Sequence, residues 1–325
     1  MANIRQSIGR ALAVRPAAGR LSGIRSRIAA AVLGREADKG LLFKLFLYLL
    51  LIDIAFIYLK PVLYMIVTMV KDAGDALNPA VIWVPNRLYT GHLEEAFRAL
   101  DYLASFGVSL SIAGLVSLLQ VLSCAIAGYA FARLAFPLKR AAFAALLFTF
   151  IMPAQVTILP SILLFKELGW INTWLPMVVP AMFGHGLKGA LFVLIFRQFF
   201  STLPKELEEA GRIDGAGAFR MFFRVMLPIS GPAVLVVFLF SFVWTWNDAY
   251  HPTMYMFGAE NAPLSVGLSR LNAMLAAESE AGGLRFFIEP LKMAASFLIL
   301  LPLLVLYAFT QRWFVEGVER TGLVE

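Results

Sequence analysis

The chain has 325 residues, of which 60% are apolar and only 15% charged, with a mean hydropathy of +0.77. Soluble globular domains run roughly 45–50% apolar and about 25% charged, so this balance excludes an ordinary soluble enzyme, and it excludes a disordered chain, which would be polar and charge-rich. The net charge of +7 and the pI near 9.6 would suit nucleic acid in a soluble protein, but in so apolar a chain they read as Lys and Arg gathered in cytoplasmic loops, with no nucleic-acid partner.

The first 40 residues form a basic tail. Arg5, Arg10, Arg15, Arg20 and Arg25 recur every five residues, a step that spreads them around a helix instead of aligning them. Such a segment suits the anionic inner leaflet of a membrane. No compact apolar region follows these charges before Leu41, which argues against a cleaved leader, while an organelle transit peptide shares the same look.

Six apolar runs follow, at 41–70, 103–132, 141–165, 176–197, 225–246 and 287–310, each long enough to cross about 30 Å of hydrocarbon. The expected fold is all-α: a polytopic membrane protein with six transmembrane helices over 41–315 and a short C-terminal tail at 316–325. Run three is interrupted by Pro153 and Pro160. Run four is interrupted by Pro180 and by the stretch Gly184-His185-Gly186-Leu187-Lys188-Gly189. Eighteen of the 28 Lys and Arg fall in both tails and in the segments after runs two and four; six fall in the alternate segments. The positive-inside rule then places both termini in the cytoplasm and leaves the long loops 71–102 and 247–286 outside. Cys124 is the only cysteine, so no internal disulfide forms, and its apolar neighbours Val121 to Ala127 point to a packed core thiol.

Polar groups at bilayer depth are costly and turn toward protein or water. His185 and Lys188 fall mid-run four, where they either line a solute path beside an opened backbone or, for Lys188, snorkel. Trp244, Trp246, Asn247 and Asp248 end run five. Aromatic faces beside amide and carboxylate groups suit sugar rings; an interfacial aromatic belt explains them equally.

The segment 201–228 is the most informative. Pro204 suits a helix's first turn, and Glu206, Glu208 and Glu209 suit its positive N-terminal dipole. Asp214-Gly215 signals a turn. Phe219, Phe222 and Phe223 around Arg220 and Arg224 form a second amphipathic stretch, closed by Leu227-Pro228. The expectation is two short helices with a turn between. They either dock into a groove on a soluble protein or lie only on their own bundle.

Glu209-Ala210-Gly211, then Asp214-Gly215, then Leu227-Pro228 resembles the EAA loop of ABC importer permeases. Phe196-Arg197-Gln198-Phe199-Phe200, Trp244-Thr245-Trp246-Asn247-Asp248, Gly128-Tyr129-Ala130-Phe131-Ala132-Arg133-Leu134 and Gln311-Arg312-Trp313-Phe314-Val315 narrow the likeness. Together they resemble the smaller six-span half of the maltose-type carbohydrate permeases, over about 41–315. The resemblance implies a non-catalytic permease subunit of an ATP-driven, binding-protein-dependent sugar importer in a bacterial inner membrane. Its partners would be a cytoplasmic ATPase dimer, a second permease subunit in a heterodimer and an external solute-binding protein. The chain would bind no cofactor, ATP-Mg sitting on the ATPase. Glu209, Ala210, Gly211, Asp214, Gly215, Phe219, Arg220, Leu227 and Pro228 would form the coupling helix that seats in the ATPase. Two positions depart from the family: Gly211, usually alanine, which should loosen the first helix, and Val108-Ser109, often Asn-Ser. No G-x-x-x-x-G-K-[ST] run is present, and three scattered histidines with one cysteine give no metal spacing. An ion-coupled secondary transporter, the competing class, would place coupling acids mid-span, where only Asp53 is a candidate.

Overall fold

The computed structural model describes residues 40–186, 188–280 and 288–322. The basic tail expected at 1–40 lies outside the described residues except for Gly40. All regular structure among the described residues is helical. The chain divides into two compact units, one ending at Tyr64 and one beginning at Met65.

The first unit holds most of α1, Leu41–Met69. This helix is apolar all round, and side chains such as Phe46 and Ile52 are exposed. A soluble helix would restrict its apolar residues to one stripe, so α1 matches a lipid-facing span. Asp53 is exposed on it.

In the second unit, α2 (Ala73–Leu77) and α3 (Gly91–Ala99) precede the long helix α4, Tyr102–Arg133. α5 (Lys139–Ile151) and α6 (Ala154–Glu167) meet at an angle of 100°, at Met152 and Pro153. Pro153 has no N–H for the ladder and forces the residue before it out of the helical region. Run four splits into α7 (Leu175–Ala181) and α8 (Gly189–Thr202). Between them Gly184, Gly186 and Lys188 take positive φ values of 68°, 113° and 60°. A Cβ at Gly189 would lie 2.2 Å from the Gly184 carbonyl oxygen, so only glycine fits there.

Beyond α8 come α9 (Glu206–Ile213) and α10 (Ala218–Met221), then a π turn over Phe222–Met226 and α11 (Leu227–Ile229). The stretch Ala218–Ile229 bends by 78° into α12, Gly231–Asn247. α13 (Tyr250–Met256), α14 (Leu264–Glu280) and α15 (Ile288–Gly322) complete the unit. α15 runs unbroken past residue 315, so no helix end marks the expected C-terminal tail. By length and composition α1, α4 and α15 can each cross a membrane, and the pairs α5–α6 and α10–α12 qualify as bent spans. α8 has 14 residues, about 21 Å of helix, and is short of a full crossing alone.

α4 is the central packing element, against α8 on one side and α12 on another. At Gly128 a Cβ would lie 2.5 Å from Phe196 Cβ and 2.9 Å from the Arg197 backbone nitrogen. The α4 and α8 backbones therefore touch. One core cluster, containing Cys124, Phe192, Phe196, Phe200, Met226 and Val237, fills the half nearer the 201–228 segment. A second, with Leu100, Phe242, Trp246, Leu264 and Ala294, fills the opposite end. The packed-thiol expectation matches here, since Cys124 is fully buried in the first cluster.

The loop after α1 is ordered by polar contacts. The buried Lys71 ammonium donates to the Val81 carbonyl at 2.7 Å. The Asp75 carboxylate accepts from the Asn86 backbone N–H and side-chain amide, both at 2.6 Å. Burial works to raise the Asp75 pKa. The Asn86 and Arg87 donors and the Lys71 charge outweigh it and hold the carboxyl below its ordinary value.

Candidate functional site

The 201–228 segment is built from local signals. α9 begins at Glu206 with Lys205 as its cap residue, so Pro204 sits just outside the helix and not in its first turn. No side chain caps the free N–H groups; three acids in the first turn interact with the dipole instead. The helix stops at Gly215, whose φ of 76° is left-handed. There the Ala216 N–H donates to the Gly211 carbonyl at 2.9 Å and the Gly215 N–H to the Arg212 carbonyl at 3.0 Å. That pair of bonds is a Schellman motif, which satisfies carbonyls a bare helix end would leave open. Gly217 then caps α10. The expected two helices with a turn are present.

α10 does not run regularly into the next span. The Leu227 N–H reaches back five residues to the Phe222 carbonyl, giving the π turn. Pro228 follows at once; it lacks an N–H and would crowd the carbonyl four residues back, which a wider turn relieves. Ser230 is fully buried at the bend, its hydroxyl donating to the Leu227 carbonyl at 2.8 Å.

Gly211 has a packing role beside the loosening expected of a mid-helix glycine. A Cβ there would lie 2.3 Å from the Met221 methyl. Met221, only 2% exposed, lies across the bare backbone and joins α9 to α10.

The predicted coupling residues divide between two faces. Glu209, Ala210, Asp214, Gly215, Phe219, Arg220 and Pro228 are exposed, and Leu227 is half-buried. The free face also carries Ile213 at 86% exposure and Phe219 at 82%. Two large apolar side chains flanking a fixed turn, among acids and an arginine, form an ordered surface that water alone does not favour.

The inner face holds what sequence reasoning missed. Glu208, read as one of three dipole acids, is buried; its carboxylate lies 3.3 Å from the Arg133 Nε. Arg133 also donates from Nε to the Phe200 carbonyl at 2.9 Å and from its terminal nitrogen to the Leu203 carbonyl. The only sequence signal for this pair is an acid inside the apolar stripe of a short amphipathic helix.

The other candidates lie apart from this segment. His185 and Lys188 are exposed at the break between α7 and α8. Trp244 is half-buried and stacks between Phe192 and Phe240, at ring centroids of 5.6 and 5.2 Å. Trp246 is buried; its indole N–H donates to the Ile299 carbonyl at 3.1 Å. Asn247 is exposed. The Asp248 carboxylate accepts from the Tyr250 and His251 backbone N–H groups and meets His251 Nδ1 at 2.8 Å, capping α13. Trp246 and Asp248 are thus held by the chain's own groups, while His185, Lys188 and Asn247 are exposed. Among the described residues no three His, Cys, Asp or Glu side chains gather as metal ligands.

Comparison with known proteins agrees with this arrangement. A solved bacterial ABC transporter involved in import of the acidic polysaccharide alginate shares the fold: TM-score 0.71 at 18% identity, covering 86% of this chain and 98% of that one. The osmoprotective compounds uptake permease protein GgtD of Synechocystis is 29% identical over 282 residues, covering 85% of this chain and 90% of the relative. The sn-glycerol-3-phosphate transport system permease protein of Brucella abortus is 27% identical over 291 residues, covering 87% and 96%. Residues 124–320, from the α4 core through the 201–228 segment to α15, match the pattern of one family. The chain belongs to the binding-protein-dependent transport system inner membrane components.

Proposed function

We propose that this chain is a permease subunit of an ATP-driven importer for a sugar or a related small polyhydroxylated solute. The observation that carries the coupling role is the ordered tip of the 201–228 segment. Ile213 and Phe219 stand almost fully exposed on either side of the Schellman turn at Gly215. A rigid apolar tip rimmed by Glu209, Asp214 and Arg220 suits a cleft on a soluble partner better than water. The partner is a cytoplasmic ATPase dimer holding ATP-Mg. This chain pairs with a second, different permease subunit and receives solute from an external binding protein. Both termini lie in the cytoplasm, as the distribution of Lys and Arg supports.

Transport is then a population shift: ATP binding closes the ATPase dimer, and the coupling segments carry that closure into the spans. The solute class draws support from relatives named for sn-glycerol-3-phosphate and for osmoprotective compounds, and from His185, Lys188 and Asn247 as exposed polar groups. A permease for a non-sugar solute is the alternative, and binding of candidate solutes to the cognate external protein decides between them.

The coupling role is tested in the assembled complex. Glu209→Ala is expected to lower uptake with membrane insertion intact. Gly215→Pro is expected to abolish it, because proline cannot take a φ of 76°. Normal uptake and normal ATPase association in both variants would overturn the assignment.

A further inference from the structure

We infer that Arg133 is a positioning residue for coupling: it makes the α9 coupling helix move as one body with the ends of α4 and α8. The inference rests on the importer reading and adds a route by which force enters the spans.

Arg133 is the last residue of α4, and its side chain is only 7% exposed. Its guanidinium donates to two carbonyls and lies beside one carboxylate, from two other elements. The Phe200 and Leu203 carbonyls belong to the C-terminal end of α8, where carbonyls lack helical donors and the dipole favours a cation. The Glu208 carboxylate of α9, 9% exposed, lies 3.3 Å from Nε as an ion pair, the Nε–H itself being given to the Phe200 carbonyl. The other Glu208 oxygen meets Arg212 at 3.5 Å, but Arg212 is 68% exposed and so a weak anchor. One buried planar cation therefore joins α4, α8 and α9.

The surroundings make the joint stiff. Gly128 lets the α4 and α8 backbones touch five residues before Arg133. Tyr129, one turn before it, packs edge-on against Phe200 and tilted against Phe222, at ring centroids of 5.6 and 5.5 Å. The opposite face of α9 carries Glu209 and Ile213, the residues offered to the ATPase. A displacement applied there reaches α4 and α8 through Glu208 and Arg133, and reaches α10 and α12 through Gly211 and Met221. Along the chain, α9 joins α8 only through residues 203–205.

The test uses the complete importer in proteoliposomes with Arg133→Gln, Glu208→Gln, Arg133→Lys and the double variant Arg133→Gln/Glu208→Gln. Each single change is expected to lower solute taken up per ATP hydrolysed by on the order of tenfold, because it leaves a buried partner without its charge-matched neighbour. Arg133→Lys fails similarly, since a point charge does not reproduce the guanidinium's fork to the Phe200 and Leu203 carbonyls beside Glu208. Hydrogen exchange on the full chain is expected to quicken about tenfold at amides 206–214 in each single Gln variant, with amides 190–200 unchanged. The double variant recovers protection, because no bare charge stays buried, and does not recover the uptake ratio. An uptake-to-hydrolysis ratio close to the unaltered protein's in the single variants, or a double variant that restores it, overturns the proposal. If the unaltered chain brings no ATPase with it, the importer reading fails instead; unchanged exchange at 206–214 would still reject the clamp.

Discussion

Gly128 shows how one residue sets the distance between two spans. With its absent side chain, α4 and α8 meet backbone to backbone, and a methyl there would press on Phe196 and the Arg197 nitrogen. Neither can swing aside, because both are main-chain-proximal atoms of a packed helix. Gly128→Ala is therefore expected to cost about 1–3 kcal/mol, read as a lower melting temperature of the detergent-solubilised chain. At Gly211 the intruding group is the far end of a flexible Met221 side chain. Gly211→Ala gains helix propensity of about 1 kcal/mol and loses part of the methionine contact, so it is expected to be nearly neutral in the same measurement. Asp75 adds a pH dependence. Its folded pKa is lowered, so its contribution is present above the ordinary carboxyl value of about 3.9 and is lost as pH falls through the lower folded value. Hydrogen exchange at amides 71–90 is expected to report loosening of that loop in the acid window, and Asp75→Asn to remove the transition.

At the scale of elements, the breaks matter as much as the helices. Proline explains the 100° bend between α5 and α6 and the π turn before Pro228; the sequence showed Pro153 as an interruption and Pro228 as the close of the second amphipathic stretch. The size and direction of a bend are another matter. Pro160 sits inside α6 and Pro302 inside α15 without ending either helix, so proline alone does not mark a break. The 201–228 segment, by contrast, was largely legible. Its helix end, its turn and its second helix rest on short-range chemistry: acids at a helix start and a glycine at a left-handed position.

For the whole molecule, the charge distribution and the family agree on an inner-membrane protein, and the proposed orientation is open to direct measurement. Cys124 is fully buried, so an added cysteine is expected to be the only one that reacts with a membrane-impermeant maleimide. Ser201→Cys is expected to label only from the cytoplasmic side, and Glu260→Cys only from outside; the reverse pattern would invert the topology. The candidate solute-path residues were less legible than the 201–228 segment. Trp244, Trp246, Asn247 and Asp248 are contiguous in sequence, yet one stacks within the core, one donates to α15, one is open and one caps α13. Sequence adjacency on a helix end does not say which direction each side chain faces.

The sequence alone determined the membrane class, the apolar runs and the two short helices with a turn in the 201–228 segment. Each follows from composition, periodicity or a turn signal within a few residues. Tertiary structure decided that Glu208 faces inward, that Arg133 receives it, and that Gly128 and Gly211 are there to be crossed by other chain segments. Arg133 and Glu208 are 75 positions apart, and α8 lies between them in the chain. A buried ion pair across such a distance leaves no local pattern, because its stability depends on desolvation and on geometry that exists only after the helices have packed.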